Sequence, residues 1–150
     1  MSFNPSKVDI KKFLPHRAPM IMIDEYFVID KKTIGTYFTI KEGTIFVEKG
    51  QFSEAGLVEN IAQSCSINVG QTYFGPEDKE NNSDVIGFIS SIKYIHIYKI
   101  PAVNDTLTSF ATLLSRYDGD DFSICTMKGE ITCNEVKILD CELKLFIQRN

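Results

Sequence analysis

The sequence has few of the features that mark membrane, secreted or metal-binding proteins. It contains no run of about 18 uninterrupted apolar residues, so no helix is expected to cross a bilayer. The first residues, MSFNPSKVDIKKF, contain no apolar signal core, and the cytoplasm is the expected compartment. None of the four cysteines belongs to a CxxC pair, which argues against a zinc site. Buried, reduced thiols are predicted at Cys65, Cys125, Cys133 and Cys141.

The sequence also lacks an excess of positive charge. The net charge of −4 gives no general attraction to nucleic acid or to an anionic membrane. Hydrophobic residues make up 43% and charged residues 24% of the chain, as in soluble globular proteins. A chain of 150 residues fits one domain, and we expect a single domain over residues 1–150.

One long helix is predicted in the stretch FSEAGLVENIAQSCSINVGQTYFG, residues 52–75. Ser53 is the expected N-cap, and Gly75-Pro76 is the expected end. A stripe of mostly small residues follows the helix at Ala55, Glu59, Ala62, Ser66 and Gly70. Glycine inside a helix costs up to about 1 kcal/mol relative to alanine, so Gly70 predicts a closely approaching backbone, such as that of a sheet curved around the helix.

Most of the remaining sequence predicts β-strands. Residues 20–30 and 33–42 form a predicted hairpin that turns at Lys31-Lys32, after a short helix at residues 7–13. A polar loop, PEDKENNSD, leads to strands predicted at 85–100 and 106–117 and in the stretches FSICTMKGEITC and EVKILDCELKLFIQR. One long helix with five or six antiparallel strands predicts an α+β layered fold.

Three stretches of the sequence resemble the 3-hydroxyacyl-[acyl-carrier-protein] dehydratases. FLPHRAPMIMIDEYFVID (13–30) resembles the N-terminal motif of that family, with Leu14-Pro15-His16-Arg17-x-Pro19 before an apolar run. LVENIAQS (57–64) resembles its central-helix motif, in which a glutamate is followed four residues later by glutamine. IKYIHIYKIPAVNDTL (92–107) is similar to a strand and turn of the family in length and position.

The resemblance implies a hotdog fold, in which an antiparallel sheet wraps around the long helix and a second copy pairs at the sheet edge. It implies an acyl tunnel along the subunit interface, with Leu14 and Pro15 near its wall. The implied substrate is an acyl thioester on acyl carrier protein or coenzyme A, and the implied role is in fatty-acid or related lipid biosynthesis. A homodimer or higher homo-oligomer is expected, with no metal and no cofactor.

The sequence departs from that family at one catalytic position. The family's catalytic histidine lies in a His-Phe-Pro-Gly stretch before the helical glutamate. The corresponding region here, TIFVEKGQFSEAG (44–56), contains neither histidine nor proline. Only the acidic half of the catalytic pair is matched, at Glu59.

Dehydration of a 3-hydroxyacyl thioester requires a base for the α-proton, an acid for the leaving hydroxyl and donors for the enolate-like oxygen. Glu59 is the candidate for one proton transfer; its alternative is a solvated helix carboxylate. Gln63, one turn later, is expected either to bind in the same pocket or to hold a backbone group. Gly56 is expected to let a thioester carbonyl approach the amides of the first helical turn.

Only two histidines are available to a histidine-dependent mechanism. His16 is the catalytic candidate that would face Glu59 in place of the missing base; alternatively, it pins the N-terminal segment through a backbone hydrogen bond. His96 lies in a predicted strand, where we expect it either to pack across the strands or to lie at an interface.

Three functions fit these residues. The first is a dehydratase that uses Glu59 and His16. The second is an acyl-thioesterase on the same fold, which needs only one helix carboxylate and helix-end amides. The third is a non-catalytic acyl-binding or partner subunit that pairs with an active homologue.

Overall fold

The computed structural model describes residues 10–74 and 85–149. A short 3₁₀ turn, Ile10–Lys12, precedes an irregular segment that leads to the first strand. One helix and eight strands follow within the described residues: β1 Glu25–Val28, β2 Thr33–Thr39, β3 Val47–Glu48, β4 Gln51–Phe52, α1 Glu54–Phe74, β5 Val85–Ile97, β6 Thr106–Asp118, β7 Phe122–Cys133 and β8 Val136–Arg149.

Six strands form one antiparallel sheet in the order β1-β2-β6-β7-β8-β5. β5 is the next described element after α1 and lies at the edge opposite β1. β3 and β4 form a separate two-stranded ribbon just before the helix. Its turn contains Lys49 and Gly50, both with positive φ, which glycine adopts without steric cost.

The helix packs on the inner face of the sheet because alternating strand residues point toward it. In β7, the odd-numbered residues from 123 to 133 are buried. Gly129 marks the closest approach, since a Cβ there would lie 2.5 Å from Ile61 Cγ1. The helix contributes Leu57, Ile61 and Cys65 to the core, each with no exposed area.

Polar side chains of α1 also reach the sheet and are satisfied there. Ser64 and Thr36 hydroxyls lie 2.8 Å apart. Asn68 Nδ2 donates to the carbonyls of Lys32 and Ala111 at 2.9 and 2.8 Å. These buried groups avoid the cost of about 1–3 kcal/mol that an unpaired polar group carries.

At Gly70, the stripe of small residues on α1 packs against the N-terminal segment. A Cβ at Gly70 would lie 3.2 Å from Phe13 Cβ and 3.5 Å from Phe13 Cα. The backbone approach predicted at Gly70 is therefore present, but it comes from the N-terminal segment and not from the curved sheet given as the example.

Several local predictions need correction. In its described part, the first predicted helix is a 3₁₀ turn, Ile10–Lys12, and its residues 7–9 lie outside the described residues. The strand predicted at 20–30 begins at Glu25, because residues 20–24 bond mainly to helix side chains. The β3–β4 ribbon was not predicted. The polar loop and the predicted helix end at Gly75-Pro76 also fall outside the described residues.

The four cysteines are free and buried, as predicted. Burial raises the pKa of each thiol, and that of Cys141 reaches about 11. None of the helical residues described here forms a stretch apolar enough, over sufficient length, to span a bilayer.

Candidate active site

Glu59 lies in the second turn of α1, where the cap of the helix fixes its position. The Ser53 carbonyl accepts from Leu57 N at 3.1 Å, and its hydroxyl accepts from Gly56 N at 3.4 Å. Ser53 is therefore the N-cap, as predicted. The cap places the side chain of Glu59 toward the irregular segment that precedes β1.

The structure brings His16 and Glu59 together. His16 Nε2 lies 3.3 Å from Glu59 Oε1, although 42 residues separate them in sequence. Each side chain is 28% exposed, so the pair is neither in bulk water nor sealed in the core. A half-buried histidine–carboxylate pair at this distance can exchange a proton with a small ligand that reaches it.

The pKa of Glu59 is lowered from its usual value of 4.5. The hydrogen bond from His16 is the largest cause; partial burial opposes it, and the hydrogen bond from Gln63 adds to the lowering. Glu59 is therefore ionised at neutral pH. In this state the carboxylate can accept a proton.

Within residues 10–74 and 85–149, the His16 ring shows no hydrogen bond to a backbone group of the kind that the structural alternative requires. Its Nδ1 is buried and has no hydrogen-bond partner among the described residues. The local backbone contacts come instead from Arg17, whose guanidinium donates to the carbonyls of Leu14 and His16 at 3.0 and 2.8 Å.

Gln63 combines the two roles that the sequence left open. Its Nε2 donates to Glu59 Oε1 at 2.9 Å and to the Met20 carbonyl at 2.8 Å. Its Oε1 accepts from Met22 N at 2.8 Å. Gln63 thus fixes the carboxylate and also holds the backbone of the segment that carries His16.

The other predicted residues differ in their surroundings. Leu14 is buried in the core at 1% exposure, whereas Pro15 is exposed. A Cβ at Gly56 would lie 2.5 Å from the ring of Phe52, so the glycine is needed for this packing. The predicted contacts of Leu14, Pro15, Gly56 and Gln63 with substrate remain predictions.

Sequence reasoning missed Asn60, which is fully buried next to Glu59. Its Nδ2 donates to the Met22 carbonyl at 2.8 Å, and its Oδ1 accepts from Ser109 Oγ at 2.7 Å. The available signal was the position of this asparagine in the motif LVENIAQS. It lies on the buried face of the helix, where an ordinary helix has an apolar residue.

His96 lies on β5 and forms a second histidine–carboxylate pair. It stands opposite Asp140 of β8 in the strand register, with Nδ1 3.2 Å from Asp140 Oδ1. Its ring stacks at 5.2 Å on Tyr94, two residues earlier on the same strand. The contact across the strands, as expected from the sequence, is the one with Asp140. The imidazole is 60% exposed.

Comparisons with known proteins agree with this architecture. The model of the ApeP-like family, described as ApeP dehydratase, matches residues 8–150. No curated protein matches the sequence. A chain of the dehydratase heterocomplex ApeI:P from Xenorhabdus doucetiae superimposes with a TM-score of 0.79 at 17% identity, covering 97% of this chain and 93% of that one.

Two further hotdog structures are also similar. A hypothetical thioesterase with coenzyme A from Streptococcus pneumoniae gives a TM-score of 0.56 at 15% identity, covering 82% of this chain and 85% of that one. The PaaI protein of Escherichia coli gives 0.56 at 12% identity, covering 80% and 79%. These similarities show the hotdog fold predicted from the sequence. Because the family model covers nearly the whole sequence, the chain belongs to the ApeP-like family of hotdog-fold dehydratases.

Proposed function

We propose that this protein is a 3-hydroxyacyl-thioester dehydratase in which Glu59 and His16 transfer the proton. The observation that carries the proposal is the distance of 3.3 Å between His16 Nε2 and Glu59 Oε1. The chain lacks the histidine of the His-Phe-Pro-Gly stretch, and His16 supplies an imidazole at the carboxylate from a different part of the sequence.

The dehydration balances with the transfer of a single proton from the α-carbon to the leaving hydroxyl. Elimination breaks a C–H bond next to the thioester carbonyl and the C–O bond of the 3-hydroxyl, and a carbon–carbon double bond forms. Ionised Glu59 accepts the α-proton, the neighbouring imidazole shares it, and the departing hydroxyl takes it to leave as water. The pair returns to its starting protonation state after each turnover.

Activity of the purified protein tests this proposal. Interconversion of 3-hydroxyacyl and 2-enoyl thioesters is expected for the wild type, and Glu59→Gln is expected to lose about 10²–10⁴-fold in rate. Asp140→Asn is the matched control, because it removes the carboxylate of the other histidine pair. Full activity of folded Glu59→Gln, or an equal loss in the control, would refute the site assignment.

A thioesterase is the second candidate. The ionised Glu59 supports it, since a single carboxylate near capped helix-end amides is sufficient for thioester hydrolysis. Release of free thiol from acyl thioesters, without formation of the enoyl product, would favour hydrolysis over dehydration.

The substrate is proposed to be carried on acyl carrier protein or coenzyme A, in fatty-acid or related lipid biosynthesis in the cytoplasm. We propose that Leu14, Pro15 and Gly56 line its path. Assays with both carriers distinguish the two thioesters, because only the true carrier should give a low KM.

Assembly is proposed to occur through β5. This edge strand is 13 residues long, and Phe88 and Ile92 on it are 49% and 45% exposed. A long edge strand with exposed apolar residues favours pairing with another strand. A homodimer is the first expectation; a heteromer with a second hotdog chain is the alternative, supported by the heterocomplex named for the similar structure. Light scattering of the purified chain separates the two, since a monomer on its own would favour the heteromer.

A further inference from the structure

The irregular segment that carries His16 is held by side chains of α1. Residues 21–23 lie outside any regular element, so their buried backbone groups need partners from elsewhere. Met22 is completely buried, and two side-chain amides of the helix bracket it: Gln63 Oε1 accepts from its N–H and Asn60 Nδ2 donates to its carbonyl, both at 2.8 Å.

Asn60 also connects this segment to the sheet. Ser109 Oγ, on β6, donates to Asn60 Oδ1 at 2.7 Å. The amide of Asn60 therefore joins three parts of the molecule: the helix that carries Glu59, the segment that carries His16, and the central sheet. Neither Asn60 nor Ser109 has any exposed area, so water does not compete for these bonds.

We propose that Asn60 is a positioning residue: through Met22 and Ser109 it fixes the segment of His16 against α1 and so keeps Nε2 of His16 on the carboxylate of Glu59. The expected effect of Asn60 on catalysis rests on the proposed function. Its effect on the position of His16 does not.

The segment transmits this constraint because it is fixed at several points. Leu14 is buried in the core, and Arg17 closes the turn around His16 by bonding to two carbonyls. Loss of the Asn60 amide leaves the Met22 carbonyl buried without a donor, and the segment relaxes by moving that carbonyl toward water. A displacement of about 1 Å in a catalytic group can lower the rate by about 10²-fold.

Asn68 provides a matched control on the same helix. It is buried to a similar degree, at 4% exposure, and its Nδ2 also donates to backbone carbonyls, those of Lys32 and Ala111. It lies two turns after Asn60 and bonds to the β1–β2 turn and to β6. Asn60→Ala and Asn68→Ala therefore both remove a buried amide, but only the first releases Met22.

A carbon-13 NMR titration of the Glu59 carboxyl tests whether Asn60 keeps His16 next to Glu59, and it does not require an activity assay. Glu59→Gln assigns the resonance. In Asn60→Ala the pKa of Glu59 is expected to rise, because the hydrogen bond from His16 is the largest cause of its lowering. In Asn68→Ala the titration is expected to match the wild type. An unchanged Glu59 titration in Asn60→Ala, or the same shift in both variants, would overturn the proposal.

Ser109→Ala keeps the test valid if Asn60→Ala does not fold. It removes only the donor to Asn60 Oδ1, and a smaller rise of the Glu59 pKa is expected. An unchanged titration in this variant would also count against the proposal.

Kinetics show the catalytic consequence. At neutral pH, Asn60→Ala is expected to lower kcat by about 10²-fold with little change in KM, whereas Asn68→Ala is expected to keep the wild-type kcat. In Asn60→Asp, the protonated form of the introduced carboxyl can donate to the Met22 carbonyl, so activity relative to Asn60→Ala is expected to increase as the pH falls.

Equal kcat losses in the Asn60 and Asn68 alanine variants would overturn the positioning role. If the wild type turns over no thioester, the proposed function fails, while the Glu59 titration still decides the role of Asn60.

Discussion

The molecule contains two histidine–carboxylate pairs of nearly equal length in very different surroundings. The inner pair, His16 and Glu59, is 3.3 Å apart and connects the N-terminal segment to the helix. The outer pair, His96 and Asp140, is 3.2 Å apart and connects two neighbouring strands. The exposed fractions differ: the imidazole is 28% exposed in the inner pair and 60% exposed in the outer pair.

The electrostatic role of the histidine also differs between the pairs. His16 is the largest cause of the lowered pKa of Glu59. The pKa of Asp140 is also lowered, but there the hydrogen bond from Tyr98 is the largest cause and His96 contributes less. The ammonium of Lys137 also lies 3.7 Å from Asp140 Oδ2. The largest cause of the lowered pKa is therefore a tyrosine for Asp140 and the paired histidine for Glu59.

The comparison shows that a short histidine–carboxylate distance does not by itself make a candidate active site. The supporting contacts distinguish the two. In the inner pair, the carboxylate accepts a hydrogen bond from the buried amide of Gln63. In the outer pair, the carboxylate lies next to the exposed side chains of His96 and Lys137. Fixed geometry with partial burial is what proton transfer to a bound ligand requires.

The largest expected contrast is in turnover. His16→Asn is expected to lower the dehydration rate by about 10²–10⁴-fold, because it removes the group that shares the proton with Glu59. His96→Asn, the same substitution in the outer pair, is expected to keep the wild-type rate. Steady-state kinetics with one enoyl thioester measures both variants, and equal effects would remove the distinction between the pairs.

The second contrast is in stability. Gln63→Ala leaves the buried Met22 N–H and the Met20 carbonyl without their side-chain partner, at a cost of about 1–3 kcal/mol per buried group. Lys93→Ala removes a surface ion pair with Glu142, at 3.4 Å, and is expected to change the free energy of unfolding by less than about 0.5 kcal/mol. Urea unfolding of both variants measures the difference. A Gln63→Ala variant as stable as the wild type would contradict the buried hydrogen bonds.

The third contrast is in the pH dependence of stability. The folded-state pKa of Glu59 lies below its unfolded value of 4.5, so its contribution is fully present above that pH and is lost as the pH falls through the folded-state pKa. His16→Asn is expected to reduce this acid-side loss, because the largest cause of the lowered pKa is gone. Unfolding midpoints between neutral pH and pH 3 measure it, with His96→Asn as the control. Identical acid profiles for wild type and His16→Asn would refute the assigned cause.

The smallest contrast concerns the outer pair alone. Removal of the hydroxyl in Tyr98→Phe is expected to raise the pKa of Asp140 more than His96→Asn does, because the Tyr98 OH donates to Asp140 Oδ2 at 2.7 Å. NMR titration of the Asp140 carboxyl compares the two variants. A larger rise in His96→Asn would make the outer pair electrostatically equivalent to the inner one.

The strands after the helix could be predicted from sequence because their patterns are long and local. The stretch predicted at 106–117 is observed as β6, Thr106–Asp118, and the strand predicted at 85–100 is observed as β5, Val85–Ile97. Alternation over a dozen residues specifies both the strand and the face that is buried. The helix was predicted equally well, since Ser53 and the apolar spacing specify its start and its buried face.

The N-terminal segment could not be predicted in the same way. Residues 20–24 are rich in β-formers, but, whereas Asp24 N donates to a β2 carbonyl, the backbone groups of Met20 and Met22 bond to the side chains of Gln63 and Asn60. Such contacts span about 40 residues of sequence and leave no periodic pattern. The proximity of His16 to Glu59 depends on them, so the sequence could only supply His16 as a candidate through the family resemblance.

The most direct test of the proton-transfer role follows the α-carbon itself. A 3-hydroxyacyl thioester is incubated in D₂O, and mass spectrometry records both the enoyl product and the deuterium that enters the α-carbon when the enoyl thioester is rehydrated. The wild type is expected to show both, and folded Glu59→Gln neither above background. Deuterium incorporation at the wild-type rate in Glu59→Gln would contradict the role assigned to this carboxylate.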